Sequence, residues 1–344
     1  MASILDIPPD LEHVQSCIFR FLTRVQDRLE SQLASDLPPV QQLTRHVERY
    51  RGKMIRPTLV ALCGLAVEPK ARGGDISTFE LSDAHVTIAA VCEMVHLATL
   101  VHDDVLDEAD ARRRTRTVNS LHGNETAVIL GDYLFSAAFA LCATLERQEA
   151  SLAIAQVGMT LCAGELVQLH HRDDFSLDEA TYFEIIDKKT ASLISTACRF
   201  GAKFSNTDNA TVARLQTFGT KLGIAFQIQD DLLDLTGDEL TVGKSVGKDV
   251  EKGKMTLPLI HHLVTSTPAQ RGATLAMLAD SSRSGVVRAR ELVSSLNSTH
   301  SVAHAQQVAE RLVAEARSAL GQLPDSPAKA MLSLMADSVV SRSF

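Results

Sequence analysis

The chain has 344 residues, a net charge of −8, and 45% hydrophobic against 22% charged residues. The mildly acidic balance argues against a nucleic-acid binder, which presents a basic face, and the apolar content excludes a disordered acidic tail. Aromatics are only 4%, Trp is absent and Ala and Leu dominate the apolar set, which suits helix-on-helix packing better than a sheet. An all-α protein is expected, as one domain over residues 1–344, because no Pro-, Gly- or Ser-rich linker divides it. Cys17, Cys63, Cys92, Cys142, Cys162 and Cys198 are scattered without a C-x-x-C pair and read as reduced core residues. The start MASILDIPPDLEHVQ lacks the pattern of a signal peptide, and no run approaches the roughly 18–20 apolar residues of a membrane span. A soluble, cytoplasmic protein is expected.

In chain order, Leu11, Val14, Ile18, Phe19, Leu22, Val25 and Leu29 recur at three and four residues, the stripe of an amphipathic helix over 10–35. Leu37-Pro38-Pro39 is read as its end. Gly52-Lys53-Met54-Ile55-Arg56-Pro57 forms a turn leading into a helix. The segment 79–106, with Ile88, Val91, Cys92, Val95, Leu97 and Leu100, is apolar on most sides, as a central buried helix is. Helical patterns then cover 125–147, 150–170, 178–200, 209–235, 256–264, 284–296, 299–321 and 327–341. Ser176 and Glu179 have the spacing of a capping box, so His170-His171-Arg172-Asp173-Asp174 is read as a loop before a helix. No segment asks to be a strand.

Two acidic triplets dominate the chemistry, Asp103-Asp104-x-x-Asp107 and Asp230-Asp231-x-x-Asp234, each at the C-terminal end of an apolar helix. On a helix the first and last carboxylates of each share a face about 5–6 Å apart and repel, and the helix C-terminus adds its own partial negative charge. A cation is needed to neutralise them. Hard oxygen ligands of this kind suit Mg²⁺, which keeps waters and bridges carboxylates to substrate phosphates. A bundle is able to bring two such helices face to face around a cavity. Arg112-Arg113-Arg114 follows the first triplet, and Lys244, Lys248, Lys252 and Lys254 follow the second. Cations beside metal-binding carboxylates fit a diphosphate ligand.

The segments GKMIRP, HLATLVHDDVLDEADARRR, DKKTASL, AFQIQDDLLD and GKSVGKDVEKGKMTLP occur in this order. Together they closely resemble the trans-prenyltransferases, the isoprenoid diphosphate synthases that extend an allylic diphosphate with isopentenyl diphosphate. The motifs span about residues 50–260, and the C-terminal helices about 268–341 follow them. The resemblance implies a single-domain isoprenoid synthase bundle around a central apolar cavity, and a homodimer. It implies that Asp103, Asp104, Asp107, Asp230, Asp231 and Asp234 hold Mg²⁺, three ions per site, that grip the allylic diphosphate. Arg112, Lys189, Lys244 and Lys254 would support that diphosphate. Lys53, Arg56, His96 and Arg113 match the isopentenyl diphosphate pocket, and Thr190 and Gln227 match residues beside the forming carbocation. One departure is visible, since Arg114 stands where the family often has Gly.

Product length is read from the helix before the first triplet. Ala98 and Thr99 lie one turn before it, where bulky aromatics in this family close the tunnel early, and the triplet lacks the two-residue insertion of bacterial short-chain enzymes. The expectation is an all-trans product of roughly C25–C50, although Phe135 or Phe139 is able to plug the tunnel. The alternatives are a C20 geranylgeranyl diphosphate synthase, a class I terpene cyclase and a non-catalytic partner subunit. A cyclase usually has a different second metal motif, and partner subunits typically lose one or both triplets.

Overall fold

The computed structural model describes residues 8–50, 52–72, 76–113, 115–237, 247–280 and 284–341. Lys244 and Arg114 lie outside the described residues. Helices make up almost all regular structure among those described: α1 (Glu12–Leu33), α2 (Pro38–Glu48), α3 (Ile55–Val67), α4 (Asp83–Leu106), α5 (Val118–His122), α6 (Asn124–Ala143), α7 (Gln148–His170) and α8 (Glu179–Ile186). A π-helical segment, Asp187–Ala191, leads into α9 (Ser192–Lys203), followed by α10 (Asn209–Thr236), α11 (Lys248–Glu251), α12 (Leu257–Thr265), α13 (Pro268–Ala279), α14 (Gly285–Ser298), α15 (Ser301–Leu320) and α16 (Pro327–Val340). The all-α expectation holds.

The chain groups into two compact units, the first of residues 1–158, 193–219 and 319–334, the second of 159–192, 220–318 and 335–344. In the first, α4 packs against α1, α3 and α6. Its side chains from Val86 to Ala98 are almost all buried, Leu97, Met94 and Ile88 completely, each such residue contributing about 1.5–3 kcal/mol. The amphipathic α1 turns Val14, Phe21, Val25 and Leu29 inward, and Arg28 Nη2 reaches Asp83 at the start of α4 (2.7 Å). His85, the one ring in this core helix near its start, is bound by Ser82 Oγ and the Gly201 carbonyl, and burial pushes it down to about 4. It is neutral packing, not chemistry. In the second unit, α8 and the π segment lie together, α12 contacts α8, and α11 and α12 contact α14.

Several expectations need correction. Pro38 and Pro39 open a helix instead of merely ending one, because they occupy the first turn of α2, where a missing N–H costs nothing. The helix expected over 178–200 is interrupted by the π segment. Its cap is Asp178, whose Oδ1 accepts from Thr181 N–H (2.8 Å), while Ser176 bonds back to Asp174; the capping box expected at Ser176 does not form. Two short strands exist, Ala111–Arg112 and Thr115–Arg116, paired antiparallel.

Another concerns membrane-like segments. By length and composition α4, α6 and α7 each suffice to cross a membrane, because Ala and the large apolar residues keep hydropathy high while Gly, Ser and Thr interrupt the apolar run at little cost. In α4 the most apolar stretch is 78% buried within the protein, against 44% in α6 and 39% in α7. Core packing accounts for α4. On α6 and α7, Ile129, Phe139, Leu152, Met159 and Leu166 are exposed. Cys162 is exposed as well, while the other five cysteines are free and buried as expected.

Candidate functional site

The first half of the site belongs to the first unit. α4 ends at Leu106, and the Asp107 N–H closes its last turn on the Asp103 carbonyl (2.8 Å). Asp103 and Asp107 are half-buried, whereas Asp104 is 1% exposed. Arg112, on the first strand of the hairpin, donates from Nε (2.9 Å) and Nη2 (2.8 Å) to Asp104 Oδ1. The Asp104 Oδ2 atom is buried without a well-formed hydrogen bond, with the Tyr50 hydroxyl beside it. Burial holds the Asp104 carboxyl above its ordinary range despite Arg112. Burial and the Asp104 charge likewise push the Tyr50 hydroxyl up to about 12, so it stays protonated.

Beside this acidic end lies a concentration of positive charge. Burial first, then the charges of Arg56, Arg112 and Arg113, hold His96 far below the ordinary imidazole range. The structure therefore brings Arg56, His96, Arg112 and Arg113 together around a neutral ring. Arg56 has a buried Nε with no hydrogen-bond partner, and Glu93 is the acidic group whose charge acts on both Arg56 and Arg113. Three guanidiniums against two carboxylates, Glu93 and the Asp104 that pairs with Arg112, leave an anion-seeking cluster. Two positions near it adopt the left-handed backbone that non-glycine residues rarely take, Met54 (φ 52°) and Arg113 (φ 50°). Arg113 follows the first strand of the hairpin, and a Cβ on Gly52 would collide with its guanidinium, 2.6 Å from Cζ. Lys53 is exposed just before α3. Ala98 is fully buried, and Thr99 Oγ1 donates to the His96 carbonyl (2.8 Å). Phe135 stacks on His102 and on Phe139, and Phe139 is exposed.

The second half belongs to the second unit. Asp230, Asp231 and Asp234 occupy the last turns of α10. Asp231 is buried: its Oδ2 accepts from the Tyr182 hydroxyl (2.6 Å), its Oδ1 from Gln227 Nε2 (2.8 Å). Gln227 Oε1 in turn accepts from Thr190 Oγ1 (2.7 Å). Asp234 accepts from the backbone N–H groups of Asp249 (3.0 Å) and Lys248 (3.3 Å). Burial and the Asp249 charge push its carboxyl up to about 7, with Asp230 adding to the effect; the same causes, burial foremost, raise Asp231. Lys254 pairs with Asp249 (3.7 Å). Lys189 is held by Glu165 and Gln168 from α7.

The π segment carries Lys189 and Thr190, and neighbouring helices approach it closely. A Cβ on Gly164 of α7 would meet Lys189 Cγ at 2.9 Å, and one on Gly223 of α10 would meet Ala191 Cα at 2.6 Å. Insertions of this type recur at functional sites. Sequence reading missed Tyr182, Glu165, Gln168, Asp249, Tyr50 and Glu93. Only Asp249 left a signal, lying within GKSVGKDVEKGK, a stretch weighed for its lysines alone.

The donor set fits a divalent cation. Carboxylates crowd one another until burial and mutual repulsion raise them, and a buried Asp104 oxygen has no good partner. Among the described residues no three His, Cys, Asp or Glu groups converge on one metal point.

The polyprenyl synthetase family model matches residues 38–296. The chain is 33% identical over 333 residues to octaprenyl diphosphate synthase of Escherichia coli (strain K12), covering 97% of this chain and 99% of that one. It is 32% identical over 311 residues to heptaprenyl diphosphate synthase component 2 of Geobacillus stearothermophilus, covering 90% and 92%. Among solved structures it is similar to polyprenyl synthase from Caulobacter crescentus CB15, complexed with calcium and isoprenyl diphosphate, with a TM-score of 0.84, 29% identity and coverage of 96% and 98%. With an α-helical chain ending two of its helices in aspartate triplets, and a family match across most of its length, this protein belongs to the polyprenyl synthetase family.

Proposed function

We propose that the chain condenses isopentenyl diphosphate with an allylic diphosphate to give a longer all-trans polyprenyl diphosphate, of roughly C25–C50. The observation that carries the reading is the pair of triplets, each with its middle carboxylate fixed from inside, by Arg112 on Asp104 and by Tyr182 and Gln227 on Asp231. Asp103, Asp107, Asp230 and Asp234 would then hold Mg²⁺, with three ions per site, and the middle aspartates anchor them. This reading also takes residues 1–344 as one isoprenoid synthase domain. When bound, Mg²⁺ supplies Lewis-acid stabilisation of the departing diphosphate.

The side chains supply the rest. Arg112, Lys189, Lys244 and Lys254 bind the allylic diphosphate, and Lys189 exchanges Glu165 for it. Lys53, Arg56 and Arg113 bind isopentenyl diphosphate, while His96, held neutral, donates a hydrogen bond without adding charge. Thr190 and Gln227 orient the allylic carbon as its bond to oxygen breaks, leaving a carbocation. The double bond of isopentenyl diphosphate attacks it, and a proton passes to the released diphosphate. Apolar walls exclude water, which would quench the cation. Ala98 and Thr99 line the path of the growing chain, and the octaprenyl and heptaprenyl names of the relatives support a long product over C20.

The protein acts in the cytoplasm as a homodimer, a state that the exposed apolar residues of α6 and α7 support. A heteromeric assembly is favoured instead by the name "component 2" carried by one relative. The test is incubation of purified protein with Mg²⁺, farnesyl diphosphate and labelled isopentenyl diphosphate. A linear, longer diphosphate is the expected product. A hydrocarbon would identify a cyclase, and no turnover by the chain alone would identify a partner subunit.

A further inference from the structure

Tyr182 stands outside the motifs that carry the chemistry, seven positions before Lys189, and its ring is buried on α8. Its hydroxyl donates to Asp231 Oδ2 at 2.6 Å. The other oxygen of that carboxylate accepts from Gln227 Nε2 (2.8 Å), and Gln227 Oε1 accepts from Thr190 Oγ1 (2.7 Å). One chain of hydrogen bonds therefore runs from α8 through α10 to the π segment. It uses both oxygens of a carboxylate only 7% exposed. A two-headed acceptor and a two-headed amide propagate orientation along such a chain: with Tyr182 on one oxygen, the Asp231 carboxylate plane is set, the Gln227 amide can point only its NH₂ toward it, and the Gln227 oxygen must face Thr190.

We propose that Tyr182 is a positioning residue of the elongation reaction. Its hydroxyl fixes the middle carboxylate of the second triplet, and through Gln227 the Thr190 hydroxyl, so that Asp230 and Asp234 on the same helix end keep the spacing that diphosphate and its cations require. The proposal rests on the reading of that triplet as a cation and diphosphate site. A tyrosine that merely packed α8 on α10 would leave that spacing untouched when its oxygen alone is removed.

The experiment compares wild type with Tyr182→Phe, Asp231→Leu, the Tyr182→Phe/Asp231→Leu double variant, and Asp230→Asn/Asp234→Asn. Circular dichroism establishes folding, Mn²⁺ binding in the presence of inorganic diphosphate is read by electron paramagnetic resonance, and kcat and KM are measured for isopentenyl diphosphate. Loss of a hydrogen bond to a charged group corresponds to about a tenfold change. Tyr182→Phe is thus expected to weaken Mn²⁺ binding and lower kcat by about tenfold each, leaving KM for isopentenyl diphosphate within about twofold. Added to Asp231→Leu it should cause no further loss, since Leu leaves the Tyr182 hydroxyl no acceptor and both changes act through one bond. Wild-type Mn²⁺ affinity and kcat in a folded Tyr182→Phe protein, or losses that multiply in the double variant, would overturn the positioning role. If Asp230→Asn/Asp234→Asn binds Mn²⁺ as wild type does, the reading of the triplet itself falls, and the positioning role with it. A Tyr182→Phe variant that does not fold transfers the test to Gln227→Leu, which breaks the same chain one link on and carries the same expectations for Mn²⁺ binding and kcat.

Discussion

Replacing Arg112 by Leu tests how the first triplet is held together before any substrate arrives. Arg112 places two N–H donors on one oxygen of Asp104, whose side chain is 2% exposed against 25% for Arg112. Removing one partner of a buried pair costs about 3–5 kcal/mol, and the partial exposure of Arg112, which lets water take its place, brings this to about 2–3 kcal/mol. For 344 residues melting as one cooperative unit, that loss lowers Tm by roughly 3–4 °C, and by more if the first unit melts separately. The penalty has a definite pH dependence. Burial already holds the Asp104 carboxyl above its ordinary value while Arg112 pulls it down, so the variant raises it further. With the folded value above the unfolded one, the native state is the better proton binder, and stability falls as pH rises from the ordinary carboxylate range through the folded value. Below that range Asp104 is protonated in both states and the charge penalty disappears. Thermal unfolding in chelator should therefore separate wild type from Arg112→Leu widely at about pH 8 and little at about pH 4. Adding Asp104→Asn to Arg112→Leu should recover most of the loss at the higher pH. An equal penalty at both pH values, or no recovery with Asp104→Asn, would refute the reasoning.

Two further outcomes are expected. Ala98→Phe introduces an aromatic side chain at a fully buried position one turn before Asp103 and should shorten the product, with a mass-resolved product profile as the readout; an unchanged profile removes Ala98 from the tunnel wall. Ile129→Glu with Met159→Glu charges the most exposed large apolar residue of α6 and that of α7 and should shift the protein to monomer in sedimentation velocity, whereas an unshifted species would move the assembly surface elsewhere.

The aspartate triplets and the helices that end in them were legible because charge stands out against an apolar periodic background, and α4 and α10 close where the pattern does. The cluster of Arg56, His96 and Arg113 was reachable only through resemblance, since these residues are distant in sequence and singly look like surface or core. Tyr182, Glu165 and Asp249 were not legible. Each acts through a partner that is revealed by folding alone, Tyr182 on a residue 49 positions away and Glu165 on one 24 away. Local features escaped for a different reason. A hairpin with two residues per strand shows no alternation, and one extra residue in a π turn vanishes within the 3.6-residue average of the flanking helices. The prolines of α2 mislead because the same residue that stops a helix is tolerated at its first turn.

The π segment between α8 and α9 has a local consequence. Its hydrogen bonds run from i to i+5 instead of i to i+4, so one more residue fits in the turn while the helices before and after it keep their faces. Tyr182 stays on Asp231 on one side, and Ile194, Ala197 and Cys198 stay buried on the other. Deleting one residue between Asp187 and Ala191 would close the wide turn, and the loss would fall on Lys189 and Thr190, the side chains that the turn presents.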